Sequence, residues 1–113
     1  MKHQDGAERF RLFLFAMWNG YTTARWRRLR EKILRRDGYM SREAARYGKL
    51  VPANVVHHCW PAEEYPQFAW APWNLISITE DEHAAMHNVD ESLTDLGESW
   101  RRRTSPPAQP YSP

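Results

Sequence analysis

Two short β-branched runs, ANVVHH and NLISI, flank the fifteen residues CWPAEEYPQFAWAPW, which contain three prolines, and no other feature narrows the possible folds as much. Valine and isoleucine suit a pleated, half-buried backbone, so each run reads as a short strand. Proline cannot donate to a strand ladder and breaks a helix interior, so the segment between the runs reads as a loop. A loop of fifteen residues is long for a small domain, and such loops are commonly functional or packed by their own side chains. Trp60, Tyr65, Phe68, Trp70 and Trp73 supply material for that packing. The expectation is a hairpin with a long ordered loop, in a chain of 113 residues that has room for a single domain.

The segment after the second run carries helix-start signals. Thr79 is placed as an N-cap, and Glu80, Asp81 and Glu82 fall in the first turn, where the helix dipole favours negative charge. His83 and His87 follow four residues apart. On one helix face their Cβ atoms would lie about 5–6 Å apart, close enough to share a cation with metal–nitrogen bonds of about 2.0–2.1 Å. At the end of the first strand, VVHHCWP places His57 beside His58, and adjacent side chains on a strand point to opposite faces. The two should therefore do different jobs. The hairpin and helix would gather four of the five histidines in one small region. Taken alone, a pair such as HAAMH is more often surface or core filler than a ligand pair, and a doubled histidine is often only half buried.

The formal charge of +2 conceals a strong asymmetry. From Thr23 to Leu50 ten basic residues face three acidic ones, a net of +7, whereas Glu80 to Glu98 holds seven acidic residues and no lysine or arginine, a net of −7. TTARWRRLREKILRRDG reads as a helix: Trp26, Leu29, Ile33 and Leu34 recur at helical spacing, Thr22 or Thr23 caps the start and Asp37-Gly38 ends it. SREAARYGK, with Ser41 as cap and Gly48 as stop, suggests a further helix of about two turns. The arginines of these helices fit a solvated face as readily as a binding face. FRLFLFAMWNGYT suits either a strand or a buried helix, and SWRRRTSPPAQPYSP ends in a proline-rich tail whose last ten or so residues are expected to be disordered. A single cysteine, Cys59, allows no internal disulfide, and no signal-peptide core or membrane span is evident. These features point to the cytoplasm, without membrane partners.

From about Trp26 to His87, through WRRLREKILRRDGY, ANVVHH and WNLISITEDEHAAMH, the chain resembles the HNH endonucleases of the ββα-metal class. The histidine, asparagine and histidine of the family name correspond to His58, Asn74 and His83. The resemblance implies an α+β fold: a small ββα-metal core, made of a β-hairpin with a long loop followed by a metal-binding helix, preceded by basic helices. It implies a nuclease domain over 23–98, an N-terminal segment 1–22 packed on it, and a tail over 99–113. It also implies a metal-dependent DNA endonuclease in which His58 is the general base. His57, His83 and His87 would hold one divalent cation, and Asn74 would pin the loop through hydrogen bonds to backbone. Three imidazoles suit zinc, nickel, cobalt or manganese better than magnesium. Two departures stand out. Near Ser41, Ala44 and the segment from Thr79 to Glu82, where many members carry CxxC pairs for a structural zinc, there is no cysteine, so packing by the loop tryptophans is expected to replace it. The acidic second half should face away from DNA, leaving a groove lined by Arg25, Arg28, Arg35, Arg36, Arg42, Arg46 and Lys49. So mixed a surface motivates the expectation of a recruiting partner, as in the phage-type members that work beside the DNA-packaging terminase. The rival reading is a non-catalytic nucleic-acid-binding module, with Cys59, His57, His83 and His87 closing a structural zinc site.

Overall fold

The computed structural model describes residues 18–107. The expectations for residues 1–17 and for the last six residues lie outside this range. Helix α1 spans Ala24–Arg36 and helix α2 Arg42–Ala45; strands β1, Val55–His58, and β2, Leu75–Ile78, follow; helices α3, Glu80–Met86, and α4, Asp95–Arg103, complete the order. No helix among the described residues is long and apolar enough to cross a membrane.

The expected hairpin is present. The strands pair antiparallel with His57 opposite Ile76 and His58 opposite Leu75. Alternation gives this two-stranded sheet two different faces. Val56 and Leu75 pack with Trp26, Ile33 and Leu34 of α1, the buried stripe that the helical spacing foretold. Cys59, Ile76 and Ile78 pack on the other face with Met86 of α3 and Trp100 of α4. The loop holds two short 3₁₀ turns, each entered through a proline, Pro66–Phe68 and Pro72–Asn74. Its aromatic side chains meet in series, Trp60 edge-on to Tyr65 at 4.9 Å and Phe68 edge-on to Trp73 at 5.0 Å. Of the ambiguous segment before α1, residues Asn19–Thr22 form a 3₁₀ turn.

Two expectations are corrected. The first concerns SREAARYGK, where the helix is a single turn: Lys49 N–H already returns to the Ala44 carbonyl, and Gly48 takes a positive φ of 72°. The second concerns α3, which ends at Met86 and leaves His87 with extended backbone. The carbonyls that would continue the helix are taken elsewhere: Thr94 donates from its amide to Met86 O at 2.9 Å and from its hydroxyl to Ala85 O at 2.6 Å. Helix α4 runs across positions 98 and 99, and its Trp100 is buried in the core.

Trp100 also answers the missing cysteine pairs. Its indole N–H donates to Glu43 Oε1 at 3.2 Å, and the guanidinium groups of Arg42 and Arg46 lie over its ring. Nearby, the Ser41 hydroxyl donates to Glu82 Oε1 at 2.6 Å, and Glu82 completes a capping box with Thr79. A hydrogen bond thus joins the two segments that a zinc ion would otherwise clip together, and the tryptophan beside it comes from α4 rather than from the loop.

At Gly97 a Cβ would lie 2.5 Å from Met86 O and 2.9 Å from Leu93 Cδ2, so α4 seats against the end of α3 only because the side chain is missing. Glycine to alanine inside a helix ordinarily stabilises by about 1 kcal/mol. Gly97→Ala should instead destabilise by about 1–3 kcal/mol through overpacking, measured as a lower urea midpoint. An unchanged or higher midpoint would contradict this packing.

Candidate metal centre and active site

The two faces of β1 separate the two adjacent histidines. His57 lies on the face covered by α3, where its ring centroid is 5.4 Å from that of His83 and 5.4 Å from that of His87, which are 5.2 Å from each other. One nitrogen from each of the three comes within 4.8 Å of the other two, and together they form a group able to hold a metal ion. Although His87 falls just beyond the helix rather than within it, the extended backbone still brings its ring to the cluster. Cys59 is not part of this group among the described residues; it is buried in the apolar cluster, and burial pushes its thiol up to about 11.

His57 itself tests whether the cluster suits a cation. Its side chain is almost fully buried, and Nε2 has no hydrogen-bond partner. An orphaned buried polar atom costs about 1–3 kcal/mol unless something satisfies it. Burial, then the neighbouring His83, His87 and His58, pushes its pKa well below the ordinary value. His83 is lowered in the same direction, by burial and then by His87 and His58. Neutral imidazoles with free lone pairs are what a divalent cation requires. A cation shared by the three imidazoles would satisfy the orphaned nitrogen and keep coordination positions open, so the donor set fits a divalent metal, and its softness favours a transition metal over magnesium.

His58 lies on the other face, only 4% exposed. Its ring stacks on Trp26 at 5.1 Å with an interplanar angle of 20°, and Trp18 meets it edge-on. Both nitrogens are engaged. Nε2 is 2.9 Å from the Ala69 carbonyl, which can only accept, so the neutral ring carries its proton there. Nδ1 is left as the acceptor, 2.9 Å from the Tyr21 hydroxyl. Burial, followed by the nearby Glu63, raises the Tyr21 phenol above its ordinary range, so it remains a donor. Burial lowers His58 as well, partly opposed by the Ala69 bond and by Glu63.

Asn74 holds this arrangement from below. Fully buried, it accepts from Trp60 N–H at 2.7 Å and donates to Trp60 O at 3.0 Å and Phe68 O at 3.2 Å, while its own carbonyl accepts from Cys59 N–H. The loop is thereby closed at both ends, and the Ala69 carbonyl is delivered to His58.

A cavity of about 480 Å³ opens onto His57, His58, His83, His87 and Tyr21, with Glu63, Glu64, Asp90 and Glu91 also in its wall. Of the seven acidic residues of the second half, Asp90 and Glu91 line this cavity. The chain between α3 and α4 folds back, through the His87–Leu93 bridge, and carries Asp90 and Glu91 to the histidines. The seven basic residues are not gathered at that cavity. Arg36, Arg42 and Arg46 line a separate cavity of about 590 Å³ with Trp73, Trp100 and Arg103. Arg36 also donates to the Pro72 and Leu75 carbonyls and pairs with Asp37, and Arg46 pairs with Glu43. Arg25 stacks on Trp70 at 3.9 Å, Arg35 lies 3.7 Å from Glu31, and Arg28 and Lys49 are exposed. Tyr21, Ala69 and Arg103 have no motif that marks them in the sequence; each matters through what it meets from a distant segment.

No protein-family model matches the chain, and no curated protein matches its sequence. Among solved structures, it is similar to the HNH endonuclease of the deep-sea thermophilic bacteriophage GVE2, whose crystal structure was determined with a manganese ion. The identity is 21%, the TM-score 0.58, and the match covers 73% of this chain and 88% of that one. The chain has the HNH endonuclease fold. In that fold the hairpin, long loop and following helix are the elements that here present His57, His58, Asn74 and His83. The similarity concerns the fold, and the geometry above is this chain's own.

The lowered histidines give a pH dependence with a definite sign. A group whose folded pKa lies below its unfolded value contributes fully above the unfolded pKa, and the contribution falls away as pH drops below it. For histidine that value is about 6.5. The melting temperature of metal-free protein should therefore fall between about pH 6.5 and pH 5, above the range where carboxylates protonate. Thermal unfolding in chelator checks this, and a flat profile across that window would contradict a buried neutral His57.

Proposed function

We propose that the protein is a metal-dependent DNA endonuclease of the HNH type. The observation that carries this reading is the separation of two adjacent histidines, His57 joining a three-imidazole cluster and His58 held neutral with one nitrogen fixed. His57, His83 and His87 hold the cation. When bound, a divalent cation supplies charge stabilisation for the phosphoryl oxygens and the leaving 3′ oxygen. Its identity is open among zinc, manganese, nickel, cobalt and magnesium.

His58 acts as general base and draws a proton from the attacking water. The Ala69 carbonyl fixes the ring so that its proton-accepting nitrogen turns toward the cavity side occupied by Tyr21. Asn74 is a positioning residue, acting on the loop and not on DNA. The acidic groups around the cavity attract a cation and repel a phosphate backbone, so DNA binding depends on cationic surfaces elsewhere. Arg36, Arg42, Arg46 and Arg103 are the foremost candidates, with Arg25, Arg28, Arg35 and Lys49 contributing from exposed positions. With intrinsic affinity divided in this way, recruitment by a partner such as a terminase would supply local concentration. A closed zinc site is disfavoured by the burial of Cys59 away from the three histidines.

Incubation of supercoiled plasmid with the protein and Mn²⁺, Mg²⁺, Ni²⁺ or Zn²⁺ should give metal-dependent nicking or linearisation. His58→Ala and His58→Gln should lower the rate by about 10²–10⁴-fold, the range of general-base contributions. Circular dichroism and calorimetry should show fold and metal binding retained. No cleavage with any metal, together with loss of the fold on chelation, would instead indicate a structural metal module.

A further inference from the structure

His58 and Tyr21 line the same cavity, and the one uncommitted lone pair of the imidazole is turned to the tyrosine hydroxyl. Trp26 covers one face of the imidazole, Trp18 meets it edge-on, and Nε2 is committed to the Ala69 carbonyl. The remaining lone pair, on Nδ1, receives the Tyr21 hydroxyl at 2.9 Å. Tyr21 lines the same cavity as His57, His83 and His87. Its oxygen uses its one proton toward His58 and keeps lone pairs that can accept from a water in that cavity. The tyrosine is itself held in place by rings, edge-on to Trp18 at 4.8 Å and to Trp26 at 5.2 Å. A side chain so constrained is a fixed bridge rather than a passing contact.

We infer that Tyr21 is a catalytic residue that relays the proton between the attacking water and His58. This rests on the nuclease reading above and adds a group to it. In the step, the water gives a proton to Tyr21 Oη as the tyrosine's own proton passes to His58 Nδ1. The water oxygen forms the bond to phosphorus, the bond from phosphorus to the 3′ oxygen breaks, and that oxygen takes a proton from solvent. The imidazolium afterwards returns its proton to solvent by the same passage, and Tyr21 ends as it began.

The test compares wild type with Tyr21→Phe in cleavage of supercoiled plasmid with Mn²⁺, with metal binding by calorimetry and thermal unfolding as controls. Tyr21→Phe keeps the ring packing and removes only the hydroxyl. Its kcat should fall by about 100-fold, the lower end of the range for a lost proton-transfer group, while KM for plasmid and Mn²⁺ affinity stay unchanged. A second readout uses the wild type alone: the rate in mixtures of light and heavy water should depend on the deuterium fraction with the curvature of two protons in flight. A straight-line dependence in the wild type, or a variant that cuts as fast or faster, would overturn the relay and make the hydroxyl a mere occupant of the water's seat. If the wild type cuts with none of Mn²⁺, Mg²⁺, Ni²⁺ and Zn²⁺, the nuclease reading fails first and the relay with it.

Discussion

The fully buried side chain of Asn74 is the constraint on which the site depends. One amide accepts from and donates to the backbone of Trp60 and donates again to Phe68, so both ends of a proline-broken loop are tied to the foot of β2. Without those bonds the loop would hold its shape only by aromatic stacking, which has little directional preference compared with a hydrogen bond. With them, the Ala69 carbonyl stands at a fixed point and sets the tautomer of His58. Strand pairing then carries the constraint across the sheet, because fixing β1 against β2 places His57 beneath α3 whenever His58 stands above α1. One small amide thus determines two chemically distinct positions.

The two sides of the molecule divide the electrostatic work. Carboxylates ring the histidine cavity, and arginines line a second cavity formed by α1, α2 and α4. On the proposed nuclease reading, a bound cation would reduce the negative potential where the phosphate must come, and without one the acidic wall would oppose the substrate. Metal occupancy and substrate approach would then be coupled without any conformational change. The segments where CxxC pairs would hold a structural zinc in the family the sequence resembles are joined here by the Ser41–Glu82 hydrogen bond, with Trp100 beneath two guanidinium groups.

Much of this was legible because local physics and global fold agree. Thr23, Ser41 and Thr79 each accept from a backbone N–H at the start of a helix, as their sequence positions suggest. The β-branched pair at Val55 and Val56 does form a strand, and the alternation of its successors sets His57 and His58 on opposite faces. What escaped the sequence depends on contacts between distant segments. The end of α3 is decided by Thr94, several residues later, and not by any stop signal at Met86. The acidic residues approach the histidines because the chain reverses between Asn88 and Leu93, a turn that charge counting does not reveal. Trp100 reaches Glu43, and Tyr21 reaches His58, across 57 and 37 residues. No periodicity or spacing rule encodes a single meeting of that kind.

The central claim is that His57, His83 and His87 share one divalent cation while His58 does not. Crystals grown or soaked with Mn²⁺ and measured at a wavelength where manganese scatters anomalously would test it directly. The account predicts one strong anomalous peak within bonding distance of all three rings, the orphaned Nε2 of His57 included, and none at His58 or Cys59. A peak bonded to Cys59 or to His58, or no peak at the three histidines with the metal in excess, would contradict it.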